Sequence, residues 1–293
     1  MSRRQAADLS LLFNTIVWGA TFVLVKAALD DITPVFFLAL RFSIATAALV
    51  LLLHRPLRRL FTWKVALGGA LAGVFLYAGY LFQTLGLRLT SAPKSAFLTG
   101  LTSILVPFLG AIVYKTKPQL SEIAGVFVAT AGLWLMTLPG AIGPIARGDL
   151  LTLIGAVGYA AHIVTLGHFS EQMRFEVVSV AQLGAAAALA LASFWWAEVP
   201  RVVWRPAVVW AVLISGLLST AVAFTIQAWA MQYTTATRTA VIYLLEPVVA
   251  WMTSYWLVHE GLSPRAGLGA AFILLGIVLV ELKPLRQRQH PSK

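Results

Sequence analysis

The sequence predicts an all-α integral membrane protein, with ten transmembrane helices arranged as two inverted five-helix repeats around a central cavity. Three observations predict it. The 293 residues are 59% hydrophobic and only 11% charged, with a mean hydropathy of +0.84, where a soluble domain is roughly a quarter charged. The apolar residues fall into long runs separated by short polar, proline or basic punctuation. The two halves of the chain resemble each other at a nearly constant offset. The same numbers exclude a disordered, collagen-like or coiled-coil chain. Ten spans of about 20 residues each leave no room for a sizeable soluble domain.

The runs are 9–29, 34–53, 64–87, 93–114, 120–138, 149–169, 176–196, 207–230, 237–257 and 264–282. Their continuity and length favour helices over the ten-residue alternation of a barrel. The first follows Arg3 and Arg4 as a signal peptide would. It is longer than a signal h-region and leads into Asp30-Asp31 rather than a small-residue cleavage site, so it reads as a retained helix.

Charge sets the orientation. With the N-terminus in the cytoplasm, 14 Lys and Arg fall on the cytoplasmic side and 6 on the other. The bias places both termini inside, in the cell's inner (plasma) membrane. The formal net charge of +11 would suggest nucleic acid in a soluble protein. Here it reads as basic loops facing lipid headgroups, with the bilayer and a small-molecule substrate as partners and no nucleic acid. The absence of cysteine removes disulfides, thiolate metal sites and a Cys nucleophile.

Shifting the chain by 144 residues lays 75–138 over 219–282 without a gap. Gln83 meets Gln227, Lys94-Ser95-Ala96 meets Arg238-Thr239-Ala240, and Gly125 and Gly132 meet Gly269 and Gly276. A shift of 141 matches Asp8-Leu9 to Asp149-Leu150 and Trp18-Gly19-Ala20 to Tyr159-Ala160-Ala161. The domains are therefore 1–140 and 146–283, with a cytoplasmic tail at 284–293. Five spans per repeat make the second half enter from the opposite face. That is the inverted plan of many secondary transporters, which bind substrate between the halves near the midplane. The built-in symmetry makes a monomer sufficient, with a homodimer as the alternative.

Polar groups within spans are functional candidates by default. Asn14, Trp18 and Thr21 share one face of the first helix, lining a cavity or bonding a neighbouring helix. Lys26 near the outer end suits snorkelling. Arg41, some seven residues into the second span, needs an acceptor; its repeat counterpart is Gln182. Gln83, Gln227, Tyr80, Trp229 and Tyr243 combine amides with aromatic faces, as a pocket for an amphipathic metabolite requires. The alternative is interhelical bonding and ordinary packing. Lys94 and Arg238 stand at equivalent helix starts, at opposite mouths of one path. There they would attract a substrate anion, aided by the free N–H groups, or else contact headgroups. Glu246, before Pro247, and His162 are the titratable candidates for charge coupling; pairing of Glu246 with Arg41 is the structural alternative. Gly125, Gly132, Gly269 and Gly276 suit close helix contact.

No nucleotide-binding, zinc-protease or nucleophile-elbow motif is present, and the five histidines do not cluster. No enzyme activity, cofactor or metal is expected. Trp18-Gly19-Ala20-Thr21-Phe22, the Thr-x-Ala-x-x-x-Ala helix starts, Glu246-Pro247 and the Val258-His259-Glu260 turn resemble the drug/metabolite transporter superfamily. In particular they are similar to its ten-span exporters with two EamA domains, most of all those for aromatic amino acids. The resemblance implies export of small metabolites through a cavity lined by spans 1, 3, 4, 6, 8 and 9. Two departures stand out: Lys115-Thr116-Lys117 replaces the acidic turn in the first half, and Leu9 to Leu29 lacks the glutamate of the four-helix multidrug relatives. The reading is an exporter of small metabolites, amino acids among them and aromatic and apolar ones included, working by alternating access. The competing readings are export of other solutes or cationic drugs, organophosphate antiport, a lipid flippase, and a membrane-embedded enzyme.

Overall fold

The computed structural model describes residues 2–60, 62–90, 92–115, 119–137, 146–170, 174–258 and 264–281. Ser91, the Thr116-Lys117 and His259-Glu260 turns and the tail 284–293 lie outside them. The helices are α1 (Arg3–Ala28), α2 (Pro34–Leu60), α3 (Trp63–Leu89), α4 (Ala92–Gly100), α5 (Thr102–Tyr114), α6 (Leu120–Thr137) and α7 (Arg147–Ser170). They continue as α8 (Phe175–Ala197), α9 (Pro206–Gly216), α10 (Ala223–Ala230), α11 (Ala236–Ile242), α12 (Glu246–Val258) and α13 (Pro264–Glu281). The described residues contain no strand, only one isolated bridge between Ile32 and Val202. Seven helices are long and apolar enough to cross a membrane, counting Lys94–Tyr114 and Pro206–Ala230 each as one, and Leu120–Leu135 and Pro264–Val280 are shorter apolar helices.

Three runs expected to be uninterrupted are broken. α11 gives way to a 3-10 turn, Tyr243–Leu245, before α12. Pro247 has no N–H to return to the Tyr243 carbonyl and its ring crowds the preceding turn. α4 and α5 meet at Leu101, where the Ser103 hydroxyl takes the Gly100 carbonyl at 2.9 Å and the Leu101 N–H turns back to Leu98 O. Between α9 and α10, Leu217–Val222 winds as a π-helix, and Thr220 Oγ1 donates five residues back to Ser215 O at 2.7 Å. A side-chain hydroxyl competing for a backbone carbonyl is a recognised cause of such bulges.

Backbones meet closely where glycines face each other. α6 packs along α13, and α3 along α7 and α8. A methyl group at Gly132 would stand 2.5 Å from the Gly269 carbonyl oxygen, and one at Gly276 the same distance from that of Gly125. α1 packs on α9, α10 and α12, and α2 on α8. The segment after α1 lies against the one before α9: Thr33 N–H donates to Arg201 O and Val203 N–H to Asp31 O. Glu198 Oε1 accepts from the first free N–H groups of α2, those of Val35 and Phe36. Lys26 Nζ donates to the carbonyls of Leu87, Arg88 and Thr90. It therefore caps the negative end of α3 rather than reaching for a headgroup. On the outside Leu51, Leu67, Ile112, Leu120 and Phe127 are exposed, and Trp63, Trp196, Trp204, Trp210 and Trp256 are exposed toward helix ends. That is the apolar band and aromatic girdle of a protein in a bilayer.

Candidate functional site

A cavity opens among these helices. Its wall comes from α1 (Trp18, Thr21, Phe22, Val25), α3 (Tyr80, Gln83, Thr84, Leu87), α4 and α5 (Ala96, Thr99, Thr102, Ser103), α7 (Tyr159, His162), α10 (Phe224, Gln227) and the 243–247 break (Tyr243, Glu246, Pro247). Arg41 of α2 joins them. Two of the three breaks, at 99–101 and 243–245, fall in the wall. Toward the start of α1 the wall ends at Trp18. At the other end it reaches Val25 and Leu87.

Several polar wall residues are anchored by hydrogen bonds. Trp18 Nε1 donates to the Ser219 carbonyl of the π-helix at 2.7 Å. Its ring meets Tyr243 edge-on at 4.8 Å and Phe224 at 5.3 Å. Gln83 donates to Thr99 Oγ1 at 2.9 Å and accepts from the Tyr159 hydroxyl at 2.7 Å. His162 is joined to Gln182 Oε1 at 2.9 Å. Gln227 is almost fully buried, with Oε1 unbonded to any described residue. Arg41 donates through Nε to Thr220 Oγ1 at 2.6 Å and through Nη2 to the Tyr80 hydroxyl at 2.9 Å. Its guanidinium lies 4.3 Å from the centre of the Tyr80 ring. Glu246 is not within ion-pair distance of Arg41; the ion pairs among the described residues lie elsewhere.

Four expected site residues lie away from the wall. The Asn14 amide donates to Ala223 O at 2.7 Å and ties α1 to α10, one turn beyond the cavity floor. Trp229 packs edge-on against Tyr233 at 5.3 Å. Two residues advance a helix by about 200°, so with Gln227 facing inward Trp229 faces away. Lys94 forms an ion pair with Asp149 at 2.6 Å. Arg238 binds Asp8 through two bonds, 3.0 and 2.8 Å. These carboxylates hold the two cations at the ends of the bundle, a correction to free cationic mouths. Asp8 corresponds to Asp149 and Lys94 to Arg238 in the repeat, so the two ion pairs are equivalent. Tyr159, Phe224, Thr99 and Ser219 are site residues the sequence did not single out. The match of Tyr159 to Trp18 was the one available signal.

Comparison with known proteins gives the same architecture a family. Residues 5–138 and 146–282 each match the EamA-like transporter family. An uncharacterized transporter of Archaeoglobus fulgidus is 32% identical over 281 residues, covering 96% of this chain and 87% of that protein. The uncharacterized transporter YoaV of Bacillus subtilis is 24% identical, covering 92% and 95%. A solved structure described only as that of a protein superposes with a TM-score of 0.77 at 21% identity, over 95% of this chain and 97% of that one; it shares the fold. With both halves matched, the chain belongs to the EamA-like transporter family.

Proposed function

We propose that this protein exports small metabolites, amino acids among them, across the inner membrane by alternating access. Ten spans form two inverted repeats, and both termini lie in the cytoplasm. The observation that carries the reading is the cavity itself: an apolar and aromatic chamber with few aimed polar groups, walled by two interrupted helices at repeat-equivalent positions. Interrupted helices at the midplane are where secondary transporters hold their substrates. Supporting it, helix pairs exchange under the repeat, α3 on α7 answering α9 and α10 on α1. The facing glycines pair in opposite directions, Gly125 with Gly276 and Gly132 with Gly269.

The equivalent ion pairs Asp8–Arg238 and Asp149–Lys94 then act as latches at the two ends, one parting as each state opens. Organophosphate antiport is disfavoured because the cavity wall carries one arginine opposed by a glutamate rather than a cluster of cations. The test is counterflow in proteoliposomes with a panel of labelled amino acids, with and without a pH gradient. Saturable exchange of one or more amino acids is expected. Exchange of none would refute the amino-acid reading.

A further inference from the structure

We infer that the cavity selects a zwitterion, holding the substrate's carboxylate on Arg41 and Tyr80 and its ammonium group on Glu246. The inference rests on the transport reading above and names the substrate chemistry of the same cavity.

Charge balance comes first. Arg41 and Glu246 are the acid–base pair in the wall. Both side chains line the same cavity, with the Tyr80 ring directly beneath the guanidinium. No ion pair within 4.0 Å joins them. Nε and Nη2 of Arg41 are engaged by Thr220, Tyr80 and Ser219. No hydrogen bond from a described residue reaches its Nη1 or the Glu246 carboxylate. Separated opposite charges inside a cavity are costly to leave uncompensated. They match a solute that carries both signs and no net charge. A pure anion would meet the Glu246 carboxylate, and a pure cation the guanidinium.

Geometry adds the rest of the ligand. A chain of aromatic rings joins the two charged groups. The Tyr80 ring under Arg41 stands 6.0 Å from Phe224, Phe224 5.3 Å from Trp18, and Trp18 4.8 Å from Tyr243. Glu246 follows Tyr243 by three residues. The wall beside the charged groups is thus apolar and aromatic, suited to the side chain of an apolar or aromatic α-amino acid, whose carboxylate and ammonium both sit on the α carbon and face Arg41 and Glu246. The π-helix contributes to this arrangement, because Ser219 and Thr220 position Trp18 and Arg41 together.

Three probes separate the possibilities: L-phenylalanine, its methyl ester (ammonium only) and N-acetyl-L-phenylalanine (carboxylate only). Each is titrated into the purified full-length protein by calorimetry and competed in counterflow. The free amino acid should bind at least tenfold more tightly than either derivative. In R41Q the preference over the ester should collapse, and in E246Q the preference over the N-acetyl compound; R41K and E246D should keep most of each. Equal binding of all three by the wild type would overturn the inference without any variant, as would unchanged selectivity in folded R41Q and E246Q. If amino acids are carried but without this discrimination, the inference fails and the transport reading stands. If no amino acid binds or exchanges, both fail.

Discussion

Removing Asp8 should open the end of the bundle that its ion pair closes. The Arg238 guanidinium meets the Asp8 carboxylate through two bonds, with side chains 7% and 12% exposed. Deleting one partner of a buried pair costs about 3–5 kcal/mol. Residual exposure brings this to the lower end, about 3 kcal/mol. At 1.4 kcal/mol per tenfold, Asp8→Asn should shift the balance of states by roughly a hundredfold. In the Lys94–Asp149 pair the lysine is 20% exposed. It lies between the surface and buried limits, so Asp149→Asn should shift the balance by roughly tenfold. The chain lacks cysteine, so single cysteines report without background. Ala96 and Ala240 are repeat-equivalent wall residues, each two residues beyond a latch cation. An impermeant maleimide applied from the side of the α1 start should label Ala240→Cys faster in the D8N background. Applied from the other side it should label Ala96→Cys faster in D149N. Unchanged rates in folded D8N protein would refute the latch argument, as would acceleration from both sides equally.

Close helix contact should be steeply sensitive at one glycine and indifferent at another. A methyl at Gly132 meets the Gly269 carbonyl, whereas one at Gly267 meets nothing within 4 Å. Gly132→Ala should lower stability by about 1–3 kcal/mol, and Gly267→Ala should leave it unchanged or raise it by up to about 1 kcal/mol; thermal melting in detergent compares them. Trp18→Phe keeps a ring against Tyr243 but removes the bond to Ser219, so it should cost about 1 kcal/mol of substrate affinity, roughly fivefold, read as the half-saturation of counterflow. Lys26→Met removes a charged cap from three carbonyls at the end of α3. Because Lys26 is partly exposed, the expected loss is about 1 kcal/mol of stability, with transport specificity retained.

The long apolar runs and their small-residue matches made the helices legible, because a bilayer imposes length and hydrophobicity on each span. The breaks were harder. At 243–245 the cause is visible as Pro247. At Leu101 and at 217–222 it is a hydroxyl that takes a backbone carbonyl, and serine or threonine does that in some helices and not in others. The latches were legible by halves. Self-comparison matched Asp8 to Asp149 and Lys94 to Arg238, but pairing the acid of one set with the cation of the other needs the start of α1 beside the start of α11, a distance of some 230 residues along the chain. Asn14 and Trp229 mark the limit of helical-face reasoning. Asn14 shares the face of Trp18 but lies a turn past the end of the cavity, and Trp229 is on the wrong side of its helix once Gln227 is placed.

The positions of the breaks connect the binding chamber to the latches. Lys94 rides on α4, nine residues long, and Arg238 on α11, seven residues long. Each short helix runs from a latch to a break in the cavity wall. From Lys94 to Thr99, or from Arg238 to Tyr243, is five residues, about 7.5 Å of helix. A continuous helix of some twenty residues would have to move as a whole to part an ion pair at its tip. A seven- or nine-residue segment can pivot at its break, where the intrahelical bonds are already replaced by Ser103 on one side and the 3-10 turn on the other. A solute held between Tyr243 and Glu246 would therefore press on the base of the segment that carries Arg238, and one contacting Thr99 and Gln83 on the base of the segment that carries Lys94. In the alternating-access reading proposed above, binding at either break would act on the nearby latch with little else to displace, giving the differential contact between states that a ligand needs in order to shift them.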